Sequence, residues 1–147
     1  MAKSSKLIAD LVGRLNPIMK FESIVASDTY TIGQLSAHLG VSLRTLRFYE
    51  QSGLLAPSRE GLRRLYSHDD LERLEIIVTL RELEVSLTAI KSLMTAIDGD
   101  GRTNEREVMA RAAALLGELA GDNRARVDEL LRINERIEEA RRSLATV

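Results

Sequence analysis

Apolar residues Leu7, Ile8, Leu11, Val12 and Leu15 recur at helical spacing, and Pro17 interrupts the run. The pattern predicts a short amphipathic helix, capped by Ser4 or Ser5, in an extension that covers residues 1–29. Four further helices each start at a hydroxyl residue: Thr31, with Gln34 three positions on, Ser42, Ser67, with Asp70 three positions on, and Ser86. Such residues accept hydrogen bonds from the free N–H groups of a first helical turn. The expected helices are 32–39, closed by Gly40, 43–52, closed by Gly53, 68–83 and 87–97. Leu71, Leu74, Ile77, Val78 and Leu80 or Arg81 form the inward stripe of the third, and Leu87, Ile90, Leu93, Met94 and Ile97 that of the fourth. Between the second and third, Leu54-Leu55-Ala56-Pro57 and Arg64-Leu65-Tyr66 flank a polar turn with Gly61, which reads as a β-hairpin with Pro57 at an edge or strand end.

Beyond the Asp98-Gly99-Asp100-Gly101 run, a loop over 98–103, residues 104–147 are poor in helix breakers. Val127, Leu130, Asn134, Ile137, Arg141 and Leu144 alternate at three and four spacings, the seam of a coiled coil with two polar interruptions. Either those polar residues set register, or the seam runs through Ile133, Ile137 and Ala140. An earlier stripe of Met109, Ala112, Leu116 and Leu119 is out of phase with it across Gly121, which predicts a kink or stutter there. Two short helices joined at a glycine-containing turn form a helix-turn-helix, so the fold class expected is mainly α: a winged helix-turn-helix head over 30–97, then a long dimerisation helix.

Composition narrows the chemistry. With 44% hydrophobic and 29% charged residues in 147, one compact domain plus an extension is expected. The chain has no cysteine, which excludes disulfides, thiolate metal sites and cysteine nucleophiles. His38 and His68 lie near helix boundaries, where a surface or capping role is expected rather than metal ligation. No apolar run reaches the roughly 20 residues of a membrane span, and no secretory apolar segment opens the chain, so a cytoplasmic protein is expected. Ser67-His68-Asp69 is contiguous on a helix start rather than a spatial triad, and no phosphate loop occurs; the reading is not an enzyme, with no cofactor.

A net charge of −1 argues at first against nucleic acid, but the distribution reverses that argument. Between Ser42 and Tyr66, Arg44, Arg47, Arg59, Arg63 and Arg64 stand against Glu50 and Glu60, a local surplus of three positive charges. If Leu43, Leu46 and Phe48 face inward, then Ser42, Arg44, Thr45, Arg47 and Tyr49 are free to meet bases and phosphates of double-stranded DNA, with Arg63, Arg64 and Tyr66 added from the wing. Tyr66 reads equally well as core.

The segments Tyr30-Thr-Ile-Gly-Gln-Leu-Ser, Arg44-Thr-Leu-Arg-Phe-Tyr-Glu-Gln-Ser-Gly-Leu-Leu and Arg63-Arg-Leu-Tyr-Ser-His-Asp-Asp-Leu-Glu-Arg-Leu together resemble the MerR family of bacterial transcriptional regulators over residues 30–97. The resemblance implies an antiparallel coiled-coil homodimer, through Leu116, Leu119, Val127, Leu130, Ile137 and Leu144, on an imperfect promoter palindrome. It further implies control of RNA polymerase by bending and untwisting an overlong spacer, at an elastic cost of roughly 1–6 kcal/mol. Arg44, Thr45, Arg47 and Tyr49 match the family's recognition helix, and Arg63, Arg64 and Tyr66 its wing; Phe48 stands where many relatives carry tyrosine. The cysteines of metal-sensing and redox-sensing relatives are missing, as is the large C-terminal domain of drug-sensing ones. Two alternatives remain: a nucleoid-associated, architectural or excisionase-like DNA-binding protein, and a regulator controlled by a protein partner at residues 1–20 or the C-terminal end. A start at Met19 would make the first helix partly dispensable.

Overall fold

Hydroxyl caps open the central helices, as local chemistry requires. The computed structural model of the chain describes residues 2–56, 58–60, 63–99, 102 and 104–146. In it α1 is Ala2–Leu15, α2 Ile32–Leu39, α3 Leu43–Gln51, α4 His68–Glu82, α5 Leu87–Asp98 and α6 Glu105–Ala145; β1 is Thr29–Tyr30, β2 Ser58–Glu60 and β3 Arg63–Ser67. Thr31 and Gln34 form a reciprocal capping box at α2 (3.2 and 2.8 Å), and Ser67 and Asp70 another at α4 (3.1 and 2.9 Å). Ser42 and Ser86 accept from the main-chain N–H of Thr45 and Ala89. Gly40 takes φ +65°, which suits the turn between α2 and α3 and which a side chain would strain.

The chain divides into two units, Met1–Met109 and Ala110–Val147. In the first, α4 is the central element. It packs against α1, α2, α5, β1 and β3, so its burial wraps much of its circumference: Ile76 and Thr79 are buried besides the expected Leu71, Leu74, Ile77, Val78 and Leu80. A single-stripe reading misses this because the stripe describes a helix covered on one side only. The second unit is one helical segment, the continuation of α6, and its helix runs unbroken through Gly121.

Three local expectations change. First, α1 begins at Ala2, so Ser4 and Ser5 lie inside its first turn rather than capping it; their hydroxyls bond Asp98 (3.1 Å) and Asp69. Leu7, Ile8 and Leu11 are buried, and α1 packs on α4 and α5 within the same unit as the head. Second, the first wing strand starts at Ser58, not Leu54. Leu54 and Leu55 are both buried, which consumes them in the core, whereas a two-residue alternation would have buried only one. Pro57, Gly61 and the centre of the 98–103 loop lie outside the described residues. Third, the hairpin gains a strand, since β3 pairs with β2 (Arg59↔Arg64) and, on its other edge, with β1 (Tyr30↔Tyr66).

Candidate nucleic-acid interface

Two elements present the arginines. Helix α3 is held through Leu46, 1% exposed, and Tyr49, 5% exposed, while Arg44, Arg47, Phe48 and Gln51 face solvent. The expected facing of Phe48 and Tyr49 is thus reversed, and Leu43 is exposed as well. Helical geometry accounts for it. Tyr49 lies three residues after the buried Leu46 and shares its face, whereas Phe48 projects with Arg44, four residues before it. Burial raises the Tyr49 hydroxyl above its ordinary pKa, with the Arg81 guanidinium hydrogen-bonded beside it pulling the other way.

Tyr66, on β3, is also a core residue at 1% exposure, so its ring is not displayed on the wing surface. Its hydroxyl donates to Glu50 Oε2 at 3.2 Å. Burial first, then the adjacent Glu50 carboxylate, pushes that hydroxyl up to about 12. Arg64 Nη1 lies 3.4 Å from the same Glu50 oxygen.

Between α3 and β3 opens a cleft of about 660 Å³, lined by Thr31, Ile32, Arg47, Glu50, Gln51, Arg63 and Arg64. Three of the arginines singled out by the sequence therefore meet at one place, from two elements, against one carboxylate. Arg44 shares the solvent-facing side of α3 without lining the cleft. Ser42 and Thr45 are engaged with each other, hydroxyl to hydroxyl at 2.9 Å, at the helix start. Such a concave basic surface can hold phosphate oxygens by charge-assisted bonds while leaving exposed side chains for base edges.

His38 is buried at 8% exposure rather than at the surface. Its Nδ1 meets the main-chain carbonyl of Glu22, its Nε2 lies 2.7 Å from Glu75 Oε1, and the Phe21 ring packs 5.4 Å away. It ties the segment after α1 to α2 and α4. His68, at the start of α4, is exposed and 3.5 Å from Glu72. Among the described residues no group of three or more His, Asp or Glu side chains could hold a metal ion, and no helix is long and apolar enough to cross a membrane.

Along the second unit, Val127, Leu130, Ile137 and Leu144 are 54–77% exposed, and Leu131 and Ile133 are 57% and 41% exposed. Leu116 and Leu119 are half-buried. Both seams read from the sequence thus leave apolar side chains in solvent.

Residues 30–97 match the family model described as MerR HTH family regulatory protein. The chain is 36% identical over 119 residues to nodulation protein NolA of Bradyrhizobium sp. (strain NC92), an alignment that covers 69% of this chain and 48% of that protein. It is similar to the structure of HiNmlR, a MerR family regulator lacking the sensor domain, bound to promoter DNA. There the TM-score is 0.54 at 27% identity, over 73% of this chain and 79% of the other. It is also similar to the transcription regulator PbrR691 from Ralstonia metallidurans CH34 in complex with lead(II). That TM-score is 0.57 at 28% identity, covering 77% and 86%. The chain spans about half or less of the length of the curated relatives it matches.

Proposed function

We propose that this chain, whose residues 30–97 match the MerR helix-turn-helix family of transcriptional regulators, binds double-stranded promoter DNA as a homodimer and controls transcription by distorting the spacer. The observation that carries the reading is the meeting of Arg47 from α3 with Arg63 and Arg64 from β3 around one cleft, with Arg44 exposed on the same helix. In this reading α3 enters the major groove, where Arg44 and Arg47 reach bases or phosphates. Arg63 and Arg64 follow the neighbouring backbone, and Ser42 and Thr45 approach phosphates at the helix start. HiNmlR, which lacks a sensor domain and is bound to promoter DNA, supports the same occupant here.

Dimerisation supplies the second half-site. The exposed Val127, Leu130, Ile137 and Leu144 are apolar area that a second copy of α6 would bury, and the half-buried Leu116 and Leu119 extend the stripe. A palindrome read by two heads lets the protein bend the DNA between them, which places RNA polymerase at the promoter as the downstream partner. A DNA-bound regulator of this kind works in the cytoplasm, on the nucleoid.

The test is selection of duplexes from a random-sequence pool by the full chain, followed by affinity measurement. Arg44→Ala and Arg47→Ala are expected to weaken binding to the selected duplex by roughly 1–3 kcal/mol each where the side chain reads a base. Unchanged affinity in both variants would overturn the reading.

A further inference from the structure

Glu50 is out of place on a surface built to meet phosphates. It is the penultimate residue of α3 and lines the same cleft as Arg47, Arg63 and Arg64, where an isolated carboxylate would repel a polyanion. Yet its side chain is only 16% exposed, and one oxygen, Oε2, meets both the Tyr66 hydroxyl at 3.2 Å and Arg64 Nη1 at 3.4 Å. Tyr66 is rigidly held, with its ring in the core and its backbone paired to Tyr30 of β1. The carboxylate therefore joins the end of α3 to the root of the wing through an anchored donor, and holds the Arg64 guanidinium at a defined point of the cleft.

Resting on the DNA-binding reading above, we infer that Glu50 is a positioning residue for sequence discrimination. It fixes the angle and separation between α3 and the wing, so that arginines from the two elements fit one duplex geometry at a time. Removing its charge frees Arg64 to find any phosphate. Affinity for unselected DNA then rises, because one repulsive charge per subunit is gone, while affinity for the selected site falls, because the two elements no longer share one alignment. A bystander carboxylate behaves otherwise: its neutralisation strengthens binding to both duplexes alike.

The experiment compares the full-length wild type with Glu50→Gln and Tyr66→Phe on two duplexes of equal length, one selected by the wild type from a random pool and one unselected. Thermal melting of each variant confirms the fold. Glu50→Gln keeps an acceptor for Tyr66 and is expected to bind the unselected duplex as well as or better than the wild type, with a steeper salt dependence, and the selected duplex at least fivefold more weakly. Tyr66→Phe, which keeps every charge, is expected to lower affinity for the selected duplex alone. If Tyr66→Phe does not fold, Glu50→Gln decides by itself. Equal strengthening on both duplexes, or an unchanged ratio between them, overturns the inference and leaves the DNA-binding reading standing. A wild type that selects no duplex overturns both.

Discussion

Leu74 and Leu130 are the same residue type in the middle of α-helices, yet Leu74 is fully buried and Leu130 is 64% exposed. The contrast runs through their units. In residues 2–109 apolar side chains from α1, α2, α3, α4, α5 and the sheet meet one another, and even Tyr30, Tyr66 and His38 are drawn in. Beyond residue 110 the helix carries Val127, Leu130, Ile137 and Leu144 at comparable spacing, and all four are exposed. The difference lies in the partners available rather than in helix propensity: a long helix completes its backbone hydrogen bonds internally, whereas its apolar stripe needs a second surface. The first unit carries its own core, whereas the second leaves its apolar stripe exposed.

The largest expected effect tests whether α1 belongs to that core. Ile8→Ala removes a side chain that is 1% exposed and is expected to destabilise the chain by about 2–5 kcal/mol in urea unfolding. A loss below roughly 1 kcal/mol would set α1 outside that core. Next comes the seam. The double variant Val127→Asp, Leu130→Asp is expected to leave the unfolding midpoint of the head in place while weakening self-association at least tenfold, about 1.4 kcal/mol, in sedimentation equilibrium. An unchanged association constant would assign the exposed stripe some other occupant.

A smaller effect comes from Tyr66. Its folded pKa, raised to about 12, exceeds the ordinary tyrosine value near 10, so the unfolded chain releases its proton first as pH rises. Its contribution to stability is therefore complete below about pH 10 and lost between about pH 10 and 12. Tyr66→Phe is expected to flatten that part of the urea-derived stability profile; Tyr49, shifted in the same direction, leaves a residual slope. The smallest effect lies again on the exposed helix. Glu138→Gln breaks the 2.8 Å pair with Arg141, both side chains well exposed, and thermal melting is expected to register less than about 0.5 kcal/mol.

The helix starts were readable from sequence because a cap is settled within three residues: Thr31 with Gln34 and Ser67 with Asp70 need no distant partner. The basic segment was readable for a similar reason. Arg44 and Arg47 are close in sequence, and Arg63 and Arg64 follow within the same short basic segment, so a common region is legible without the fold. The signal for Tyr49 was also there, in its three-residue spacing from Leu46, but an aromatic-rich, arginine-rich helix invites the opposite assignment.

What sequence by itself determined, then, is the segmentation and the charge: which residues open each helix, where the turns fall, and which short stretch is basic. Only the tertiary structure decided that α1 docks on α4 and α5, that β1 joins β3, that His38 bridges Glu22 and Glu75, and that Tyr66 answers to Glu50. Caps and turns are satisfied by neighbours along the chain, so their energetics are local. Facing and burial depend on surfaces that arrive from tens of residues away, and a side chain able to serve either core or solvent, as tyrosine and histidine are, takes its role from whichever surface reaches it.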